Sequence, residues 1–349
     1  MNKHLAIALA LSVSAVAFSA QQPRVTETQM NTEPVGAGLS ATVTRFQHSS
    51  QQLWIGYEVA SVPRHGSSSC SGADGSYDDG CCGEYRLEGR NDGVRVDDAK
   101  QESGRIYVLL RLEAGAVTKV RTANAGCRLN AGGVPFTWLT GVNAEDSIHY
   151  LANLSTQGAD KQPGEGAMAA MAMHASPSAT KALLEIAKNS PAPRLREKAG
   201  FWLGAERGHE GLLALEELLR TEQDPKLREK LAFDLSINRD PSATDDLLKM
   251  AKSDTDPKVR GQAIFWLAQK AGKKAAGAIT DAIENDPEQQ VKKKAVFALS
   301  QLPKDEGIPQ LIHVADTNTN PAVRKDAIFW LGQSGDPRAL TYLEGILKR

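Results

Sequence analysis

Apolar positions in the second half of the chain recur with a constant spacing of about 32 residues, a period that is typical of solenoid repeats. Two segments that lie two periods apart are nearly identical, RGQAIFWLAQ (260–269) and RKDAIFWLGQ (324–333), and related copies lie one period from each. The clearest columns are Phe201, Phe233, Phe265, Phe297 and Phe329, and Leu203, Leu235, Leu267, Leu299 and Leu331. A unit this short cannot cover its own apolar faces, so the spacing predicts a solenoid of stacked repeats with both columns in its core.

Each unit contains two predicted helices. Positions 195, 199, 202 and 203 share one helical face, and apolar residues in 180–188 and 244–252 follow the same spacing. Asp or Asn precedes Pro at Asp224-Pro225, Asp256-Pro257, Asp286-Pro287 and Asn320-Pro321. Each pair predicts a helix start, because the polar side chain caps the helix and proline already has a helical φ. We expect about six stacked two-helix units and about twelve helices, with a half-repeat at each end.

The first half of the chain has the pattern of β-structure. Segments 39–46, 52–62, 105–113 and 117–122 are rich in β-branched and aromatic residues, and several alternate apolar with polar positions. Residues 113–116 predict a hairpin turn, and 144–154 predict an amphipathic helix. Residues 64–82 are too polar and glycine-rich for regular structure, so we expect a surface loop there. The fold class is therefore mainly α, with a smaller β-rich N-terminal domain.

The first twenty residues have the pattern of a secretory signal peptide. A short head with Lys3 is followed by an apolar run from Leu5 to Phe18, and Ala17 and Ser19 suit the positions before a cleavage site at Ala20. We expect three parts: a signal peptide (1–20), a β-rich domain (21–155) and a solenoid (156–349). The mature protein is expected to be periplasmic or secreted, with no transmembrane segment.

All four cysteines lie in the first half of the chain, at Cys70, Cys81, Cys82 and Cys127. An even number in an oxidising compartment predicts two disulfides. A bond between the adjacent Cys81 and Cys82 would close a strained ring, so two connectivities stay open, each joining Cys70 and Cys127 to one of the pair. The alternative is a metal site with His65 and nearby carboxylates, but the spacing matches neither a zinc nor a calcium pattern.

The repeat unit resembles a HEAT repeat, of the short type also found in phycobilisome-lyase-like proteins. The resemblance rests on DPKVRGQAIFWLA (256–268) and NPAVRKDAIFWLG (320–332), and it covers about residues 165–349. It implies an exported bacterial protein with HEAT repeats. In that family the Asp before the second helix and the following Arg often link neighbouring repeats. The corresponding residues here are Asp224, Arg228, Asp256, Arg260 and Arg324.

Some proteins with this architecture are enzymes, such as the iron-dependent hydroxylase that modifies deoxyhypusine. That enzyme uses several symmetric His-Glu pairs, whereas this sequence has only His209-Glu210, with His174 and His313 standing alone. We therefore carry over no metal, cofactor or catalytic residue, and expect lone histidines in turns to be solvated surface residues.

Large aromatic residues alternate along one column of the repeats. Trp202, Trp266 and Trp330 occupy every second unit, while Asp234 and Ala298 occupy the units between them. The first interpretation is packing of large against small side chains. The second is a strip on the inner surface, formed with Arg196, Arg260 and Arg324, that binds a partner. Both hold if each ring is buried along one edge only.

The composition adds little about function. Of 349 residues, 24% are charged and 41% apolar, and the net charge is −1, so no overall field favours nucleic acid or an acidic membrane. The leading hypothesis is an exported, non-enzymatic adaptor that binds another protein through the solenoid. The alternative is an enzyme or ligand-binding protein with its site in the cysteine-bearing domain.

Overall fold

The computed structural model describes residues 22–49, 51–63, 70–71, 77–78, 84–88, 104–157 and 163–348. The predicted signal peptide and most of the predicted loop over 64–82 lie outside these residues. Within the described part, strands dominate the first half of the chain and helices the second, as the two sequence patterns predict.

The N-terminal part is built on a five-stranded mixed sheet. In spatial order the strands are β2 (Met30–Pro34), β10 (Phe136–Thr140), β3 (Leu53–Ala60), β7 (Arg105–Glu113) and β8 (Ala116–Asn124). β10 runs parallel to both of its neighbours, and β3, β7 and β8 are antiparallel. The predicted strands over 52–62, 105–113 and 117–122 are confirmed. Ala114 and Gly115 form the predicted hairpin turn, both with positive φ (49° and 74°).

Two smaller sheets complete the strand arrangement. β1 (Arg24–Thr26), β9 (Arg128–Asn130) and β6 (Glu84–Arg86) form a parallel sheet. It covers one face of the large sheet, where Trp54, Tyr107 and Trp138 are buried. β4 (Cys70–Ser71) and β5 (Tyr77–Asp78) pair antiparallel, so the prediction that residues 64–82 have no regular structure is wrong at these positions.

One predicted strand is a helix. Residues 39–46 fall in α1 (Leu39–His48), which packs on the second face of the sheet beside α2 (Ala144–Gln157). The alternation of Leu39 and Val43 with polar residues fits a strand, but their spacing of four also fits a helical face. The backbone N–H of Leu39 donates to Asp146 Oδ2 at 2.7 Å, which fixes the start of α1 against α2. The helix predicted at 144–154 is confirmed by α2.

The second half of the described chain consists of stacked helices. Five antiparallel pairs, α4/α5 to α12/α13, lie between single helices α3 and α14, which confirms the predicted twelve helices and a half-repeat at each end. The helices are α3 (Gly164–Ala172), α4 (Pro177–Asn189), α5 (Pro193–Glu206), α6 (Gly208–Thr221), α7 (Pro225–Ile237), α8 (Ala243–Ser253), α9 (Pro257–Ala271), α10 (Ala276–Asn285), α11 (Gln289–Ser300), α12 (Lys304–Thr317), α13 (Pro321–Gln333) and α14 (Pro337–Leu347). A short 3-10 turn, Gly272–Ala275, precedes α10.

Three of the four predicted capping pairs begin helices. Asp224, Asp256 and Asn320 accept from backbone N–H groups at the starts of α7, α9 and α13. The prediction for Asp286 is wrong, because α11 begins at Gln289 and its N-cap is Glu288. It is Glu288 that lies one full period after Asp256, so the repeat phase places Asp286 in the preceding turn.

The helices form two layers. The second helices of successive pairs, α5, α7, α9, α11 and α13, pack closely against one another, whereas the first helices contact one another less. Closer spacing on one side curves a helical stack toward that side, so the second helices form the inner layer. One hydrophobic core runs from the large sheet through α1, α2 and α3 into the stack.

Candidate interaction surface

Aromatic side chains form a continuous row along the inner layer. In spatial order the rings are Trp202, Phe201, Phe233, Trp266, Phe265, Phe297, Trp330 and Phe329, with neighbouring centroids 4.8–6.3 Å apart. We call these eight residues the aromatic ladder. It crosses all five inner helices, because the 32-residue repeat places one phenylalanine at the same position of each inner helix.

The ladder is only partly covered. The three tryptophans are half-buried and pack against the core, while Phe329 is 54% exposed. Phe201, Phe233, Phe265 and Phe297 are also half-buried. The expectation that the phenylalanine column lies inside the core is therefore wrong, because this column lies on the surface side of the fully buried leucine column. Each tryptophan ring packs along one part and leaves another accessible, which supports the packing interpretation, while partner binding stays a prediction.

The alternation of tryptophan with small or polar residues has a packing cause at Asp234. This residue is buried in α7, where its backbone and carboxyl group contact Gly200 and Gly204 of α5. A Cβ atom on Gly204 would lie 2.4 Å from the carbonyl oxygen of Asp234, so the glycine permits the close approach. Asp234 Oδ2 has no hydrogen-bond partner among the described residues, and burial raises the pKa of this carboxyl well above its usual value.

The arginines of the predicted strip face the turns between repeats. Arg260 is 8% exposed and donates from Nε and Nη2 to both carboxylate oxygens of Asp286 (2.7 and 3.0 Å). Its Nη1 donates to the carbonyl oxygen of Asp254 at 2.8 Å. Arg196 pairs with Glu222 at 3.3 Å, and Arg324 donates to the carbonyl oxygens of Asn318 and Thr319 (2.8 and 3.1 Å). The structure thus does not bring these arginines together with the tryptophans as one open strip.

The arginines do link neighbouring repeats, as the family resemblance implies, but through different acidic partners. Arg228 makes two hydrogen bonds to Asp254, at 2.9 and 3.0 Å, in the same way that Arg260 binds Asp286. Asp224 and Asp256 instead cap their own helices. The acceptor therefore lies two residues earlier than expected. Asp254 and Asp286 also accept from the backbone N–H two residues on, which holds them in position.

A groove opens on the inner layer between α9, α11 and α13. It has a volume of about 570 Å³. Phe297 and Trp330 of the ladder supply its apolar wall, and Lys258, Lys293 and Lys294 lie at its edge. The groove extends the accessible part of the ladder into a concave surface.

The repeat pattern also matches a known family model. Residues 180–268 and 276–349 match the model of HEAT repeats. The chain contains HEAT repeats in its second half. The matched residues cover the helix pairs that carry the ladder and the arginine links, so both features belong to the HEAT stack.

Three solved structures show similarity to the chain at low identity. Human deoxyhypusine hydroxylase is 17% identical, with a TM-score of 0.31, covering 58% of this chain and 90% of that protein. YibA of E. coli is 18% identical, with a TM-score of 0.32, covering 58% and 76%. The complex of CpcE and CpcF of phycocyanin lyase from a Nostoc species is 19% identical, with a TM-score of 0.31, covering 59% and 88%. No curated protein matches the chain in sequence.

A buried chain of hydrogen bonds joins the sheet to the HEAT stack. The Tyr57 hydroxyl lies 2.8 Å from Ser147 Oγ, which lies 2.9 Å from His174 Nε2. His174 Nδ1 lies 2.8 Å from the carbonyl oxygen of Ala170, which can only accept, so Nδ1 carries the proton. Nε2 then accepts from Ser147, and Ser147 accepts from Tyr57. All three side chains are 0% exposed, so the cluster is a structural link sealed from solvent.

His174 contradicts the expectation that lone histidines are surface residues. Burial lowers its pKa to about 4, which keeps the ring neutral. Its backbone carbonyl accepts from Arg207, which also donates to the carbonyl oxygen of Ala172 and to Thr180 Oγ1 (3.1 and 2.8 Å). By contrast, His209 is exposed and Nδ1 lies 2.7 Å from Asp240, and His313 is exposed on α12. Local pattern did not reveal this cluster, because its members come from β3, α2 and the end of α3.

The cysteine prediction is tested only in part. Cys127 is 3% exposed, beside Leu129 in the core beneath the small sheet. Cys81 and Cys82 lie outside the described residues, as does the side chain of Cys70. The two disulfides thus stay a prediction.

No group of three or more His, Cys, Asp or Glu residues within the described ranges is arranged to hold a metal ion. Among the described helices, none is long and apolar enough to cross a bilayer.

Proposed function

We propose that the chain is an exported, non-enzymatic adaptor that binds a partner protein along the inner face of its HEAT stack. HEAT repeats are protein-interaction modules, and their curvature creates an extended concave surface. Export rests on the signal-peptide pattern of residues 1–20, and two disulfides in the N-terminal domain are part of the same proposal.

The observation that carries the proposal is the aromatic ladder. Eight rings in a row on a concave face leave aromatic surface accessible that a purely structural column would bury. Aromatic residues contribute strongly to protein interfaces, because each ring buries a large area at a low cost in side-chain entropy. The arginines near the turns are already bound within the stack, so the aromatic part of the predicted strip carries the binding proposal.

Site-specific photo-crosslinking in cells tests this function. A photoreactive benzoyl-phenylalanine replaces Phe329, which is 54% exposed on inner helix α13. The matched control places it at Leu213, which is 51% exposed on outer helix α6. We expect a discrete adduct with a second protein from position 329 and from the neighbouring ladder position Phe297, and none from position 213.

Adducts that form equally from Leu213, or fail to form from Phe329 and Phe297, contradict the proposal. A thermal melt of each variant shows whether the HEAT stack is intact before the crosslinks are interpreted. All three positions are at least partly exposed, so we expect a small loss of stability at each.

A further inference from the structure

The groove between α9, α11 and α13 combines an apolar wall with a positive edge. Phe297 and Trp330 line the wall, and Lys258, Lys293 and Lys294 are exposed around it. Glu229 of α7 is the acidic residue that lines the far end. The groove therefore offers an aromatic anchor point with three positive side chains beside it.

The positive charge at this groove is not neutralised within the described chain. Lys258, Lys293 and Lys294 form no ion pair with any residue that the structure describes. Lysines that precede Lys294 in its repeat column are paired: Lys198 with Glu165 at 3.3 Å and Lys230 with Glu197 at 3.8 Å. Lys294 is the last lysine of this column, and among the described residues it lacks the acidic partner that Lys198 and Lys230 have.

The repeat columns explain both the space and the charge. One column reads Glu197, Glu229, Gly261, Lys293 and Lys325, so its charge changes from negative to positive along the stack. Gly261 stands at the change, where a Cβ atom would lie 3.2 Å from Lys294 Cγ. The absence of a side chain at Gly261 leaves the space between Glu229 and Lys293 that becomes the groove.

We propose that this groove binds an acidic, extended segment of a partner protein that carries an aromatic or large aliphatic side chain. The apolar side chain packs on Phe297 and Trp330, and flanking carboxylates pair with Lys258, Lys293 and Lys294. This rests on the adaptor function proposed above and specifies the chemistry of its partner. Charge complementarity selects the class, because the edge repels basic segments and attracts acidic ones.

The charge pattern also sets the direction of the bound segment. Glu229 closes the end of the groove toward α7, while the lysines lie on α9 and α11. The acidic residues of the segment therefore lie over α9 and α11, on the side away from Glu229. A neutral or basic residue lies at the end near Glu229.

The test uses a fluorescein-labelled peptide of Asp and Glu residues around a central Phe, titrated with the full mature protein and followed by polarisation. Lys293→Glu with Lys294→Glu should weaken binding about tenfold or more. The matched control is Lys181→Glu with Lys252→Glu, two exposed lysines on outer helices α4 and α8, and it should bind as the wild type does. Gly261→Gln, which fills the groove without changing charge, should also weaken binding.

Three results would overturn the inference: equal binding by the wild type and the Lys293/Lys294 variant, unchanged binding by Gly261→Gln, or tighter binding of single-stranded DNA or anionic vesicles than of the peptide. Circular dichroism of each variant checks the fold. The two proposals fail separately. Adducts at Phe329 without peptide binding reject only this inference, whereas peptide binding without adducts rejects the adaptor function and leaves the groove chemistry intact.

Discussion

Two buried titratable side chains, Asp234 and His174, should contribute to the dependence of stability on pH. Asp234 is 2% exposed and His174 is 0% exposed, and burial disfavours the charged form of both. Burial raises the pKa of the Asp234 carboxyl and lowers the pKa of the His174 ring, so the two residues destabilise the fold in different pH ranges.

Asp234→Ala is expected to stabilise the protein at pH 7. The folded state holds the proton of Asp234 to a higher pH than the unfolded state does, because the folded pKa is raised. As the pH rises above the unfolded pKa, ionisation favours the unfolded chain and the fold loses stability. The same column holds Ala298 in a later repeat, so the site tolerates alanine. We expect a gain of about 1–3 kcal/mol at pH 7 and a smaller gain at pH 4, measured by urea unfolding. Asp326→Ala on α13, partly exposed, is the control and should change little; the same gain there would contradict the assignment.

His174→Gln should make the protein less sensitive to acid. Because the folded pKa of about 4 lies below the ordinary value, His174 contributes full stability above about pH 6.5 and loses it as the pH falls toward 4. The wild type should lose about 1.5 kcal/mol from this residue between pH 6.5 and 5. The variant should lack that part of the slope, while His313→Gln on the surface should keep it. Identical pH profiles for both variants would exclude His174 as the cause.

At the scale of elements, neighbouring positions of one inner helix have different roles. Leu267 is 0% exposed in the core, whereas Phe265, two residues earlier on α9, belongs to the half-buried ladder. Two types of interaction link successive repeats. Arg228 and Arg260 form ion pairs with carboxylates in the next turn, while the leucine columns pack against one another in the apolar core.

Truncation of these two residues should therefore have unequal effects. Leu267→Ala removes a fully buried side chain and should reduce the free energy of unfolding by about 2–5 kcal/mol. Phe265→Ala loses partial burial and ring contacts with Trp266 and Phe297, worth about 1–2 kcal/mol. Chemical unfolding of both variants measures the difference. An equal or larger loss for Phe265→Ala would show that the ladder is a core element.

The sequence predicts the HEAT stack well because each helix is specified locally and the prediction is repeated in every unit. It fails where two patterns compete or where contacts are non-local. Leu39 and Val43 fit both strand and helix spacing, and only contact with α2 decides between them. Tryptophan alternation fits packing and a surface strip alike, and the phenylalanines that complete the ladder have the pattern of core residues. The cluster of Tyr57, Ser147 and His174 could not be predicted from local sequence, because its three members come from separate segments of the chain.

At the scale of the whole molecule, the β-rich part and the HEAT stack share a core. Val108 and Leu110 of the sheet belong to the same apolar cluster as Met168 and Met171 of α3, and this cluster continues into α4 and α5. Tyr57, Ser147 and His174 add a polar link at the same place. The sheet thus covers the apolar end of the first repeat, a role that a terminal capping repeat has in other solenoids.

Export and oxidation are expected to act on this part of the molecule. Protein recovered from the periplasm should begin at Ala20 and contain two disulfides, neither joining Cys81 to Cys82. Each bond should add about 2–4 kcal/mol by restricting the unfolded chain. Intact mass and non-reducing peptide mapping provide the measurement. Retention of residues 1–19, or four free thiols in the recovered protein, would contradict the expectation.

The tryptophan fluorescence of the aromatic ladder should report changes in the curvature of the HEAT stack. Its rings bridge successive inner helices, as Phe233 to Trp266 and Phe297 to Trp330, with centroids 4.8 and 4.9 Å apart. A change in the bend of the stack must open or close these gaps, and it alters the surroundings of the indoles of Trp266 and Trp330 at once. With Trp54→Phe and Trp138→Phe silencing the tryptophans of the sheet, the remaining fluorescence should shift whenever small-angle scattering detects a change in radius. Emission that stays constant while the radius changes would show that the stack bends elsewhere.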